Sequence, residues 1–170
     1  MKLADYKKLY VCSIKELYEK LDRELPDEKT IAILLTMEDT DRERLCYLDA
    51  VYRVEVMDTR DFRSFFAFNY IDGLHVKNFI EENADIGTLY VCCDSGESRS
   101  TALAAAILRY FGRSDMGIWK NPHYHPNTLV YSKQMLAFGK RVCKMRLKYF
   151  EYVNRRAFRR AHEEYEQCDF

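Results

Sequence analysis

The chain has no excess of charge of either sign. Its 27 Lys and Arg stand against 27 Asp and Glu in 170 residues, so the strong basic bias of a dedicated nucleic-acid binder is missing. No stretch approaches the roughly 18 to 20 uninterrupted apolar residues that cross a bilayer as a helix, and no membrane span is expected. There is no internal repeat, linker or low-complexity segment. The length sits in the usual single-domain range, and one domain over residues 1–170 is the expectation. The opening MKLADYKKLY lacks an apolar segment of signal-peptide type, and two of the six cysteines are neighbours. A reducing, cytoplasmic setting therefore fits better than a disulfide framework.

What is present is a hydrophobic content of 48%, enough for a sizeable core. KLYVCSI (Lys8–Ile14) reads as a strand. IKELYEKLDREL follows with Ile14, Leu17, Leu21 and Leu25 at spacings of three and four, and Ser13 is placed to cap it. TIAILLTM (Thr30–Met37) is a continuous run rich in branched residues, as in a strand buried on both faces, and is expected at the centre of a sheet. A short charged helix, DTDRERL, precedes AVYRVEVM (Ala50–Met57), a strand expected to stop at Asp58. Helical spacing returns from Phe65 to Glu82, weakened by Gly73. The strand TLYVCC then leads to a small-residue helix, STALAAAILRYF, that Gly112 stops. The tail from Met135 to Phe170 reads as one or two helices with an apolar stripe of Phe138, Val142, Met145, Tyr149 and Val153. Strands alternating with helices predict an α/β fold with a mostly parallel central sheet flanked by helices, and ligand sites where strands hand over to helices.

LYVCCDSGESRSTALAAAIL (Leu89–Leu108) holds such a junction. Cys93 closes the strand, Asp94, Ser95, Gly96, Glu97 and Ser98 form the loop, and Arg99 and Ser100 open the helix. Gly96 sits where backbone must come close to a ligand, and successive amides at a helix N-terminus make an anion cradle. A free thiol near pKa ~8.5 is mostly protonated at neutral pH; a helix N-terminus and an arginine lower that by several units, which suits Cys93 as a nucleophile. The planar fork of Arg99 can hold two oxygens of a tetrahedral dianion, which lysine cannot reproduce. Ser100 can donate a hydrogen bond to the sulfur and ease its departure when a thiophosphate intermediate is hydrolysed. The plainer reading is a buried cysteine near a surface arginine; strand, glycine, serine and helix together weigh against it.

CDSGESRS resembles the C-x5-R-[ST] signature of the cysteine-dependent protein tyrosine phosphatases, most closely the CxxGxSRS loop of their compact dual-specificity branch. The resemblance is specific over about Tyr52 to Phe111. It implies a phosphotyrosine phosphatase-like fold, Cys93 as nucleophile, and oxyanion binding by Arg99 with the loop residues Asp94, Ser95, Gly96, Glu97 and Ser98. It also implies an aspartate on an earlier loop as general acid. VEVMDTRDF offers two: Asp58, favoured by local pattern, and Asp61, closer to the family's usual spacing. Asp58 is preferred because loop insertions shift spacing more readily than they shift a strand end. HPNTLVY resembles the family's PNxxF/V segment, with Asn127 as a support for the loop. No metal or organic cofactor is implied. The implied partner is a phosphorylated protein or peptide bearing phosphotyrosine, with phosphoserine and phosphothreonine also within reach of a shallow pocket. Phosphate, vanadate or similar oxyanions should inhibit.

Two departures matter. Cys92 stands where the family usually has histidine, which predicts lowered activity. Asp94 and Glu97 stand where relatives acting on heavily phosphorylated inositides place basic residues, which disfavours such substrates. The rival reading is a pseudophosphatase, a phosphopeptide-binding module with weak turnover. A rhodanese-like sulfurtransferase also uses a cysteine loop, but arginine at plus six with serine after it belongs to phosphate handling.

Other features have plainer readings. Cys92 should face the sheet's packing, opposite to Cys93. His123 and His125 lack a cluster of cysteine or carboxylate at ligand spacing and belong to a loop near the site mouth. Lys140 to Arg160 holds nine basic residues and one acid, Glu151; a solvated helix face is favoured there over contact with an anionic substrate or membrane. Tyr124, Tyr131 and Phe62 are candidates to flank a phosphotyrosine ring.

Overall fold

A computed structural model describes residues 8–168 apart from 84 and 86. Four strands, β1 (Lys8–Ser13), β2 (Thr30–Leu35), β3 (Ala50–Val54) and β4 (Thr88–Cys93), form an all-parallel sheet in the order β1-β4-β2-β3. The helices are α1 (Ile14–Arg23), α2 (Arg42–Leu45), α3 (Tyr70–Glu82), α4 (Arg99–Tyr110), α5 (Met116–Trp119), α6 (Thr128–Ala137) and α7 (Lys144–Cys168). No helix among the described residues is long and apolar enough to cross a membrane.

β2 is buried at every residue, as its unbroken apolar run requires, and it lies inside the sheet. β4 runs between β1 and β2, so that Cys93 is paired with Ser13 on one side and Leu35 on the other. Alternation then divides the core. Cys93, Val91, Ile31 and Ile33 face the layer containing α3, α4 and α6, while Cys92, Cys12 and Leu34 face α1 and α2 through Leu17, Leu21 and Leu45.

Local signals set most boundaries. Ser13 and Glu16 form a reciprocal capping box that starts α1 directly at the end of β1. A second box, Asn69 with Asp72, starts α3 at Tyr70 rather than at the expected Phe65; the residues between pass through turns. Gly73 costs helix propensity but allows contact, because a Cβ there would lie 2.9 Å from the Ala137 Cβ of α6.

Two expectations need correction. β3 leaves the ladder at Val54 rather than at Met57, because its partner β2 ends at Leu35; Val56 is still buried, and Asp58 lies beyond a short stretch outside the sheet. The tail's apolar stripe is also out of phase. α6 begins at Thr128, Gly139 with φ +76° follows its end, and α7 restarts at Lys144. The break rotates the pattern, so that Met145 and Tyr149 are exposed while Phe150 and Asn154 turn inward. Phe150 stacks on Trp119 at 4.6 Å between ring centroids. Lys148, Arg155, Arg156, Arg159 and Arg160 lie exposed on α7.

Candidate active site

β4 ends at Cys93 and α4 begins at Arg99, with Asp94–Ser98 between them. Gly96 has φ +76°, and a Cβ there would meet Ser13 N at 2.6 Å and Cys12 C at 2.7 Å. The loop thus folds tightly against the end of β1, which only glycine allows. Its second half is tied down through carbonyls. Thr101 Oγ1 donates to Glu97 O (2.7 Å) and Ser98 O (2.8 Å), the His125 amide donates to Glu97 O (2.9 Å), and the Asn127 amide to Ser98 O (3.2 Å). Ser95 Oγ accepts from the Glu97 amide at 3.3 Å.

Cys93 is 0% exposed and Arg99 6%. The Cys93 sulfur lies 3.1 Å from Ser100 Oγ. Arg99 is held at two of its three nitrogens: Nη1 donates to Val56 O at 2.8 Å and Nη2 to Asp94 Oδ2 at 2.6 Å. The third, Nε, is buried without a partner among the described residues. A buried N–H left unpaired is costly, and an oxyanion lodged in the loop would satisfy it. The Val56 carbonyl carries no sequence signal, since any residue supplies one.

Asp58 joins this loop. Its Oδ1 accepts from Ser98 Oγ at 2.9 Å and from Asn127 Nδ2 at 2.8 Å. Asn127 also donates to Thr59 O at 3.0 Å, and its Oδ1 caps α6 by accepting from the Leu129 and Val130 amides. Asp61 turns elsewhere, its Oδ1 accepting from the amide and Nε of Arg63. Asp58, Thr59, Arg60, Ser95, Glu97, Ser98 and His125 line a shallow depression of about 570 Å³. His125 thus stands at the site mouth as expected.

The aromatic candidates fare less well. Tyr131 is 0% exposed and donates to Asp115 Oδ2 at 2.9 Å, so it is a core residue; burial and Asp115 together push its phenol upward. Neither Tyr124 nor Phe62 lines the depression. Cys92 points away from the loop as alternation requires, and its sulfur lies 3.4 Å from that of Cys12. Burial pushes the Cys92 thiol well up, whereas the hydrogen bond from Cys92 lowers Cys12. Among the described residues no group of three or more His, Cys, Asp or Glu is placed to hold a metal ion.

No protein-family model and no curated protein sequence matches the chain. Solved structures do. Human DUSP28 aligns at 19% identity over 77% of this chain and 91% of its own, with a TM-score of 0.51. PTPMT1 aligns at 13% identity over 92% and 95%, with a TM-score of 0.47. The core catalytic domain of the PP-IP phosphatase SIW14 from S. cerevisiae aligns at 15% identity over 93% and 88%, with a TM-score of 0.42. At these identities the likeness is one of fold, and the DUSP28 superposition carries it. With its parallel sheet and its strand–loop–helix junction at Cys93, the chain has the phosphotyrosine phosphatase-like fold seen in human DUSP28.

Proposed function

We propose that the protein is a cytoplasmic phosphomonoester hydrolase that removes phosphate from phosphotyrosine, and from phosphoserine and phosphothreonine, in proteins or peptides. The observation that carries this reading is the buried, unpartnered Nε of Arg99, six residues after a thiol that closes a central strand. The fold shared with DUSP28 supports it. The free thiols of Cys12, Cys46, Cys92, Cys93 and Cys143 support a reducing setting.

In this reading the Cys93 thiolate attacks phosphorus, while Arg99 and the amides of the 94–98 loop bind the three non-bridging oxygens. The bond to the leaving oxygen breaks as Asp58 gives that oxygen its proton. Asn127 and Ser98 hold the Asp58 carboxyl group in place for this through Oδ1. A cysteinyl phosphate results. Asp58, now ionised, takes a proton from water as the water oxygen attacks phosphorus. The P–S bond breaks, Ser100 donates a hydrogen bond to the departing sulfur, and inorganic phosphate leaves. This sequence requires no metal or organic cofactor.

The deciding experiment is steady-state hydrolysis of an aryl phosphate and of a phosphotyrosine peptide, with and without vanadate, by the wild type and Cys93→Ser. Vanadate-sensitive turnover that the substitution abolishes supports the reading. Turnover surviving in Cys93→Ser above a few per cent of wild-type kcat excludes Cys93 as the nucleophile. The rival, a phosphopeptide-binding module, draws on the complete burial of Cys93. It would bind the peptide without releasing phosphate.

A further inference from the structure

We propose that Asp94 selects the substrate: it occupies Arg99 in the resting site and passes to a cation on the substrate, so that favoured phosphopeptides carry arginine or lysine beside the phosphorylated residue. The proposal rests on the phosphatase reading above.

A guanidinium grips a tetrahedral oxyanion along an edge, using two nitrogens. Nη1 of Arg99 is committed to the Val56 carbonyl, a partner that belongs to the scaffold. The edge left for substrate is therefore Nε with Nη2. Nε is unpartnered, but Nη2 already donates to Asp94 at 2.6 Å. One half of the edge stands ready and the other is held by the protein's own anion.

Access leads to the same residue. Cys93 is 0% exposed, Arg99 6%, and neither lines the depression beside the loop. In the Asp94–Arg99 pair the exposed partner is Asp94, with 35% of its side chain accessible against 7% for Arg99. A phosphoryl group that grips the Nε–Nη2 edge competes with that carboxylate for Nη2. Asp94 would then stand beside an incoming dianion, and like charges that close repel unless a cation intervenes.

The protein supplies few cations for this. The depression is lined by the carboxylates Asp58 and Glu97, with Arg60 and His125 as its basic side chains. A lysine or arginine on the substrate gives Asp94 a new partner as its old one is taken, and exposed Glu97 of the same loop adds to the attraction. A substrate carrying further phosphates or carboxylates beside the phosphorylated residue meets the carboxylates of Asp94 and Glu97 on this loop, with only Arg60 and His125 to offset them.

The test uses two phosphotyrosine peptides differing at one neighbouring position, arginine against glutamate, with wild type, Asp94→Asn and Asp94→Ser. A vanadate inhibition constant is measured for each form. Wild type is expected to favour the arginine peptide about tenfold in kcat/KM, as for an exposed but specific charge pair. In both variants that preference should fall to about twofold or less, and vanadate should bind several-fold more tightly because its competitor is gone. A preference that survives in both variants, a wild type that treats the peptides alike, or vanadate binding that stays the same or weakens would each overturn the role of Asp94 while leaving the phosphatase reading intact. Absence of both hydrolysis and vanadate binding in all three forms would overturn the two together.

Discussion

The side-chain amide of Asn127 joins Asp58 to the first turn of α6: Nδ2 lies 2.8 Å from Asp58 Oδ1, while Oδ1 accepts from the Leu129 amide at 3.0 Å. The two ends can be separated experimentally. Asn127→Asp keeps an N-cap acceptor but sets a carboxylate against Asp58 in place of a donor. At neutral pH that partly buried like-charge contact and the lost donors to Asp58 and Thr59 O should cost more than about 1 kcal/mol, a loss that shrinks on acidification as one carboxyl takes a proton, whereas Asn127→Ala loses the cap, about 1 kcal/mol or more, with no such pH dependence. Both should lower kcat on a phosphotyrosine peptide at least tenfold, and denaturant titration beside kinetics separates the two effects.

Asp58 and Asp61 are distinguished by leaving group. A general acid matters most when the departing oxygen is a poor leaving group. Asp58→Asn should lose roughly 10²-fold on a phosphotyrosine peptide and clearly less on a strongly activated aryl phosphate. Asp61→Asn, whose carboxylate serves Arg63, should show no such dependence. The opposite pattern would assign the acid to Asp61.

Arg99→Lys keeps the charge but cannot serve Val56 O and an oxyanion edge at once. It should cost at least ~2 kcal/mol in kcat/KM. Near-normal kinetics would remove the fork from the mechanism.

Gly96 and Gly112 have nearly the same backbone, φ +76° and φ +74°, but only Gly96 is crowded by neighbours. Alanine at Gly112 should therefore cost about 1 kcal/mol of stability for the left-handed backbone alone. At Gly96 the loss should be clearly larger, because Ser13 N and Cys12 C cannot move aside from a paired strand end. Urea midpoints for the two variants would show equal losses if the close approach were unimportant.

Mild peroxide should inactivate wild type and Cys92→Ala alike, through Cys93. Cys92 faces the opposite side of the sheet, with Cys12 3.4 Å away. Peptide mapping that finds a Cys92–Cys93 bond as the main reversible product would contradict this.

How much of this can be read from sequence follows physical lines. β2 declares itself through six consecutive buried positions, and the junction at Cys93 does so because cysteine, glycine, arginine and serine carry their chemistry in their side chains. The end of β3 is not legible, because it depends on where a different strand stops. The phase of α7 depends on a break at Gly139 that resets the helical pattern. Asn127 reads as a loop residue near the site, yet its bond to Asp58 spans 69 positions of sequence and arises only when α6 packs beside the loop. The Asp94–Arg99 pair depends on which way one side chain turns, and spacing says nothing about that.

Because Cys93 ends a strand flanked on both sides by partners, at Ser13 and Leu35, the proposed nucleophile is the stationary end of its own loop. Backbone amides of Val91 and Cys92 should then exchange with deuterium only through global opening, while those of residues 94–98 exchange through smaller, local excursions. A bound oxyanion should slow the second set and leave the first untouched. Whatever motion admits substrate takes place downstream of the sulfur, against a reference point that the sheet does not release.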